Sequence, residues 1–175
     1  SMRVPARTDT MTPTTDTIHW ADATRRQHFN DWLAAIAPRH GLQPPTLQPA
    51  SSDASFRRYF RIAGRDRSFI VMDAPPTHED VRPFVHVAQL MLAAGLHAPA
   101  IVEQSVEQGF LLLGDLGGRL YLNELQACVA AGDTATVTRL MREAIAALHV
   151  WQQGVDASTL PPYDEALLRR EMQLF

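Results

Sequence analysis

The spacing of apolar residues changes twice along this chain, and those two changes restrict the folds open to it. Before His40 the spacing is helical. Phe29, Trp32, Leu33 and Ile36 stand at i, i+3, i+4 and i+7, the stripe of an amphipathic helix. Asp22 is placed to cap it, and His40-Gly41 followed by Pro44-Pro45 ends it. From Thr46 to Leu113 the period falls to two. Thr46 to Pro49 reads as a short strand. Phe56 to Ile62 alternates, with Arg58, Phe60 and Ile62 on one face and Arg57, Tyr59 and Arg61 on the other. Ser68 to Asp73, Ala100 to Ser105 and Phe110 to Leu113 supply three more strands, and the short turns predict antiparallel pairing. One helix interrupts the set, opened by Thr77 with Asp80 three residues on. Beyond Gly114 to Gly118 the helical period returns. Leu122, Leu125, Cys128 and Val129 mark one helix. Asp133 caps a longer one whose Val137, Leu140, Met141, Ala144, Leu148 and Trp151 are expected on a buried face. A last helix follows Pro161-Pro162 and reaches Phe175 with apolar residues at its open end, which reads as truncation.

The fold class expected is therefore α+β, a five-stranded antiparallel sheet with one inserted helix, followed by helices. Composition narrows the function classes. A formal net charge of −3 gives no electrostatic reason to expect nucleic acid or an anionic membrane as partner. No apolar run approaches the roughly 18 residues that cross a bilayer. A single cysteine, Cys128, excludes an intrachain disulfide. The cytoplasm is the expected location. The seven histidines show no metal-ligand spacing, and neither a nucleophile elbow nor a Walker phosphate loop is present.

Three strands, a helix, two strands and a glycine-rich joint into helices is the order of a protein-kinase-like small lobe. Four runs then carry a closer resemblance: Ser52-Asp53-Ala54-Ser55-Phe56-Arg57-Arg58-Tyr59-Phe60-Arg61, Val71-Met72-Asp73-Ala74-Pro75-Pro76, Arg82-Pro83-Phe84, and Gly109-Phe110-Leu111-Leu112-Leu113-Gly114-Asp115-Leu116-Gly117. With these the chain resembles the aminoglycoside-phosphotransferase-like family, and within it the anomeric amino-sugar kinases of bacterial cell-wall recycling. The resemblance runs from about Trp20 to Phe175. It implies a kinase-like small lobe over residues 19–113, a hinge over 114–118 and the truncated helical start of a large lobe over 119–175. Residues 1–18 read as a flexible tail with a tag scar at Ser1-Met2.

The resemblance also implies roles. Ser52, Asp53, Ala54 and Ser55 stand where a loop covers the phosphates of ATP. Met72 stands where such kinases carry a strand lysine, so Arg57, Arg58 or Arg61 is expected to supply the missing cation, and Arg58 is the one carried forward. Glu79 or Asp80 is the candidate carboxylate. Gly114, Asp115 and Leu116 stand at the adenine hinge. Magnesium is implied as cofactor and an amino sugar as second substrate. No H-x-D-x-x-x-x-N loop follows the hinge; its one histidine, His149, lies in helical pattern. Hence no catalytic residue and no metal ligand is expected in this chain, and it should not transfer phosphate alone. The alternatives are a fragment of an aminoglycoside or other small-alcohol phosphotransferase, and a non-catalytic binding module. A cut fragment is expected to self-associate through its uncovered C-terminal face.

Overall fold

The computed structural model describes residues 18–51 and 56–173. The loop Ser52–Ser55 and, except for Ile18, the expected tail lie outside the described residues. Five strands form one sheet in the order β1-β2-β3-β5-β4, every neighbouring pair antiparallel. They are β1 (Gln48–Ser51), β2 (Arg58–Ala63), β3 (Ser68–Asp73), β4 (Ile101–Ser105) and β5 (Phe110–Gly114). The period-two segments thus become strands within two residues of where the alternation puts them. The class expected from the sequence, α+β with a kinase-like small-lobe sheet, is the class observed.

Helix α1 (Ala23–His40) begins where Asp22 accepts a hydrogen bond from the Thr24 amide. It ends on Gly41 in the left-handed region. Its buried residues are Phe29, Leu33 and Ile36, the predicted stripe. They form one core with Phe60, Ile62, Phe69, Val71, Phe110 and Leu112 of the sheet. Phe29 meets Phe60 and Phe110 edge-on, ring centroids 5.6 and 5.5 Å away, the orientation aromatic quadrupoles favour. The C-terminal turn of α1 is tied to β4, since Arg39 Nε and His40 Nε2 lie 2.9 and 2.7 Å from Glu103 Oε1.

The described chain divides into two compact units. One runs as far as Val81 and resumes from Ile101 to Asp115; the other comprises Arg82–Ala100 and the chain from Leu116 onward. The second unit holds α2 (Arg82–Ala93), α3 (Tyr121–Ala130), α4 (Thr134–Gly154) and α5 (Glu165–Met172). Asp133 caps α4 as expected, accepting from Thr136 N. Helix α2, by contrast, starts five residues after Thr77: the chain first turns at Pro75, with the His78 and Glu79 amides donating to its carbonyl. Pro83 then occupies the first turn, where its missing N–H costs nothing. Tyr121 Oη donates to the Leu140 carbonyl, joining α3 to α4.

The expected buried face of α4 is corrected. Met141, Leu148 and Trp151 are 46%, 53% and 40% exposed, and no residue of α3, α4 or α5 is buried. Periodicity reports that a helix has an apolar face, not that something in the chain covers it. Among the described residues no helix is long and apolar enough to cross a membrane.

Two outcomes follow from this architecture. Gly109 turns the chain between β4 and β5 at φ 69°, and a Cβ there would lie 1.9 Å from the Ala74 carbonyl oxygen. Gly95 has φ 80° with nothing within 4 Å. Gly95→Ala should cost about 1–2 kcal/mol, the left-handed conformation alone. Gly109→Ala should cost clearly more, read from urea midpoints, and equal losses would contradict the close approach. Glu103 is held below its ordinary 4.5, chiefly by the hydrogen bond from His40; burial opposes this, and Arg39 and the His40 charge assist. A carboxyl depressed on folding contributes above its unfolded pKa and loses that contribution as pH falls through the folded one. Glu103→Gln should therefore be less stable near neutrality, and its stability should fall less steeply below about pH 4.5, followed by thermal melts across pH.

Candidate functional site

Strand register sorts the candidate residues onto two faces, because directly opposed residues share a face. Arg58 pairs with Asp73, Phe60 with Val71 and Ile62 with Phe69, which is the α1 face. Tyr59 pairs with Met72 and Arg61 with Ile70; Leu111 and Leu113 lie opposite Met72 and Ile70. These belong to the other face. Arg58 and Arg61 are accordingly split between the faces, and each of the three candidate arginines has a carboxylate partner.

On the α1 face, Asp73 is fully buried at the end of β3. Its Oδ1 accepts from Arg25 Nε and Nη2 at 2.9 and 2.6 Å. Its Oδ2 accepts from Arg58 Nε at 3.0 Å and from Arg58 Nη2. Arg25 donates further to the Gln108 carbonyl and Arg58 to the His19 carbonyl. The Arg25 guanidinium lies 3.9 Å from the Phe110 ring centroid and that of Arg58 4.0 Å from Trp20, contacts that suit weakly hydrated cations. Arg58 is thus bound to Asp73 and the α1 side, not to the face carrying Met72. Asp73 and Arg25 were given no role in the sequence reading. The signal was present: in Phe69-Ile70-Val71-Met72-Asp73 the alternation puts a carboxylate on the core face, and Arg25 lies one helical turn before Phe29.

On the other face, Met72 is fully buried and offers a thioether where a cation was looked for. Arg57 Nε and Nη2 each lie 3.1 Å from Glu79 Oε2, so the structure unites one arginine candidate with one carboxylate candidate. Arg61 grips Asp115 with two hydrogen bonds, Nε to Oδ2 at 2.6 Å and Nη2 to Oδ1 at 3.1 Å. Ser68 Oγ adds a third at 2.6 Å to Oδ2. That pairing raises the Arg61 guanidinium above its usual range, through the Asp115 hydrogen bond first, against the pull of burial. Asp115 therefore staples the end of β5 to β2 and β3. Gly114 pairs with Phe69 as the last residue of β5. Leu116 is half exposed and opens the second unit. Ser52, Asp53, Ala54 and Ser55 lie outside the described residues.

Magnesium was tested against this donor set. Among the described residues no three His, Cys, Asp or Glu side chains gather as a metal site requires. Glu79 and Asp115 already direct oxygens at arginines. The residues described do not fit the metal.

The model of the phosphotransferase enzyme family matches residues 46–174. A Pseudomonas aeruginosa protein named N-acetylmuramate/N-acetylglucosamine kinase is 49% identical over 162 residues, covering 89% of this chain and 46% of its own length. A protein of the same name from Pseudomonas putida is 50% identical over 130 residues, 74% of this chain and 36% of the relative. One from Neisseria meningitidis serogroup B is 34% identical over 152 residues, 86% and 43%. The chain thus spans less than half the length of these relatives. No solved structure is a significant match.

The Asp73 cluster makes a sharp expectation. Asp73→Asn preserves volume but leaves two arginines, with side chains 13% and 35% exposed, sharing a neutral amide. Breaking a buried ion pair from one side costs about 3–5 kcal/mol. The loss should be near that range in urea unfolding, and a loss below about 1 kcal/mol would mean the network is not charged as drawn.

Proposed function

The chain belongs to the phosphotransferase enzyme family, and from that premise we propose that it is the nucleotide-binding part of an ATP-dependent kinase acting on the anomeric hydroxyl of an amino sugar. The observation that carries this reading is the 49% identity, over 89% of the chain, to a protein named N-acetylmuramate/N-acetylglucosamine kinase. The geometry supports it at one point above all. The strand position that carries Met72 cannot hold a phosphate, and Arg57 stands next to the Ser52–Ser55 segment with Glu79 fixing its guanidinium.

In this reading Arg57 is the cation for the phosphates of ATP, Glu79 positions it, and Ser52, Asp53, Ala54 and Ser55 contribute hydroxyl and backbone N–H groups. Gly114, Asp115 and Leu116 present backbone to adenine, with Asp115 locked by Arg61 so that the strand end stays in place. Arg58 takes no part in phosphate binding. Magnesium, in kinases of this kind, neutralises charge on the phosphates; no ligand set for it is described in this chain, so no step is assigned to it. The compartment of such an enzyme is the cytoplasm, where ATP is available.

The same reading makes the chain inactive alone, because no H-x-D-x-x-x-x-N loop that would orient the sugar hydroxyl follows the hinge in its sequence. His149, the one histidine after the hinge, lies within α4. Incubated with ATP, magnesium and N-acetylglucosamine, the 175-residue chain should form no sugar 1-phosphate, while a fluorescent ATP analogue should still bind measurably. Arg57→Ala should weaken that binding at least tenfold, roughly 1.4 kcal/mol. Arg57→Lys should recover part of it, and Glu79→Gln should lie between. A chain that binds no nucleotide would overturn the function. Binding unchanged by Arg57→Ala would overturn the role given to Arg57 and leave the function standing.

A further inference from the structure

The α1 side of the first unit holds a cavity of about 560 Å3 that the nucleotide reading does not use. That volume lies in the range of small-molecule sites, about 300–1,000 Å3. It is lined by Trp20 and Ala21 just ahead of α1, by Pro75 and Pro76 just after β3, and by the arginines Arg25 and Arg58. All of these belong to one unit. From this lining we infer a binding site for a small monocarboxylate with an apolar body.

The argument is one of donors against acceptors. Asp73 has no exposed surface, and both of its oxygens are taken by two N–H groups each. A ligand in the cavity therefore meets the guanidiniums and not the carboxylate between them. A guanidinium has five N–H groups. Arg25 spends three, two on Asp73 and one on Gln108; Arg58 likewise spends three, two on Asp73 and one on His19. Two remain on each. The lining also contains Asp22, whose Oδ1 is engaged in capping α1. The walls thus offer surplus donors. The proper occupant accepts hydrogen bonds, and charge-assisted bonds to guanidinium are about twice as strong as neutral ones.

Charge then selects among acceptors. Arg25 and Arg58 are balanced by Asp73 and Asp22, so the lining has no surplus positive charge to neutralise a dianion such as phosphate. One carboxylate asks least of it. His19, Thr77 and His78 complete the polar part of the lining, and the Trp20 ring, Ala21 and the two prolines form its carbon wall, which gives an apolar body a surface to leave water against. The site is distinct from the proposed nucleotide face. Register puts Arg58 and Asp73 on the α1 side of the sheet and Tyr59 and Met72 on the other.

The test is an NMR titration of the whole 15N-labelled chain with benzoate, and with benzamide and inorganic phosphate as comparators. Benzoate should bind with Kd on the order of 1 mM, moving the Trp20 indole N–H, the Arg25 and Arg58 Nε–H and the amides of Ala21 and Thr77. Benzamide and phosphate should each bind at least tenfold more weakly. Arg58→Ala is the direct variant but leaves Asp73 half compensated and endangers folding. Ala21→Phe instead fills the cavity from an exposed position without touching a partner of Asp73, and should abolish the benzoate shifts while the rest of the spectrum stays unchanged. Shifts elsewhere, equal binding of benzamide, tighter binding of phosphate, or benzoate shifts that survive Ala21→Phe would each overturn the proposal.

Discussion

A carboxylate with no exposed surface, held between two guanidiniums, is the interaction on which the first unit is built. Asp73 closes an apolar strand on its core face, where an unpaired charge would cost several kcal/mol. Its partners come from elements distant in sequence, Arg25 from α1 and Arg58 from β2. Satisfying it therefore seats the first turn of α1 on the sheet and fixes the end of β2 against β3. Through the Gln108 carbonyl it also reaches the β4–β5 turn. Gly109, next in the chain, receives the Ala74 amide on its carbonyl, so the same corner is closed twice. The aromatic cluster of Trp20, Phe29, Phe60 and Phe110 fills the space beneath, and three of these rings, Trp20, Phe60 and Phe110, lie under guanidiniums.

The sheet separates two chemistries by alternation alone. Arg58 and Arg61 stand on opposite faces of the sheet by register. Arg58 meets Asp73 on the α1 side, whereas Arg57 is held by Glu79. Arg61, two residues beyond Tyr59, is bound at both ends of its guanidinium edge by Asp115.

The second unit obeys a different balance. Two of its helices have side-chain caps, α4 from Asp133 and α5 from Asp164. Small contacts set their spacing. His86 meets Thr159 at 2.8 Å, and Gly154 lies against Ala94 closely enough that a Cβ would stand 3.2 Å from the Ala94 methyl. Yet Ile145, Leu148, Val150 and Trp151 remain exposed. Capping and helix propensity are local, so they shape these helices without a core to bury them.

The sequence by itself determined the elements, because periodicity, caps and turn residues act over a few positions. The strand limits, the α1 stripe, the Asp22 and Asp133 caps and the division of Arg57, Tyr59 and Arg61 from Arg58, Phe60 and Ile62 were all legible before any coordinates. Pairing across long separations was not. Nothing local says that Arg25 will meet a carboxylate 48 residues away, that Asp115 is a clamp on Arg61 and Ser68, or that Arg57 will meet Glu79. Three arginines within five positions are chemically alike in one dimension. Only the folded sheet, by giving Arg58 and Arg61 opposite faces and each face its own carboxylate, decided which guanidinium meets Asp73 and which meets Asp115.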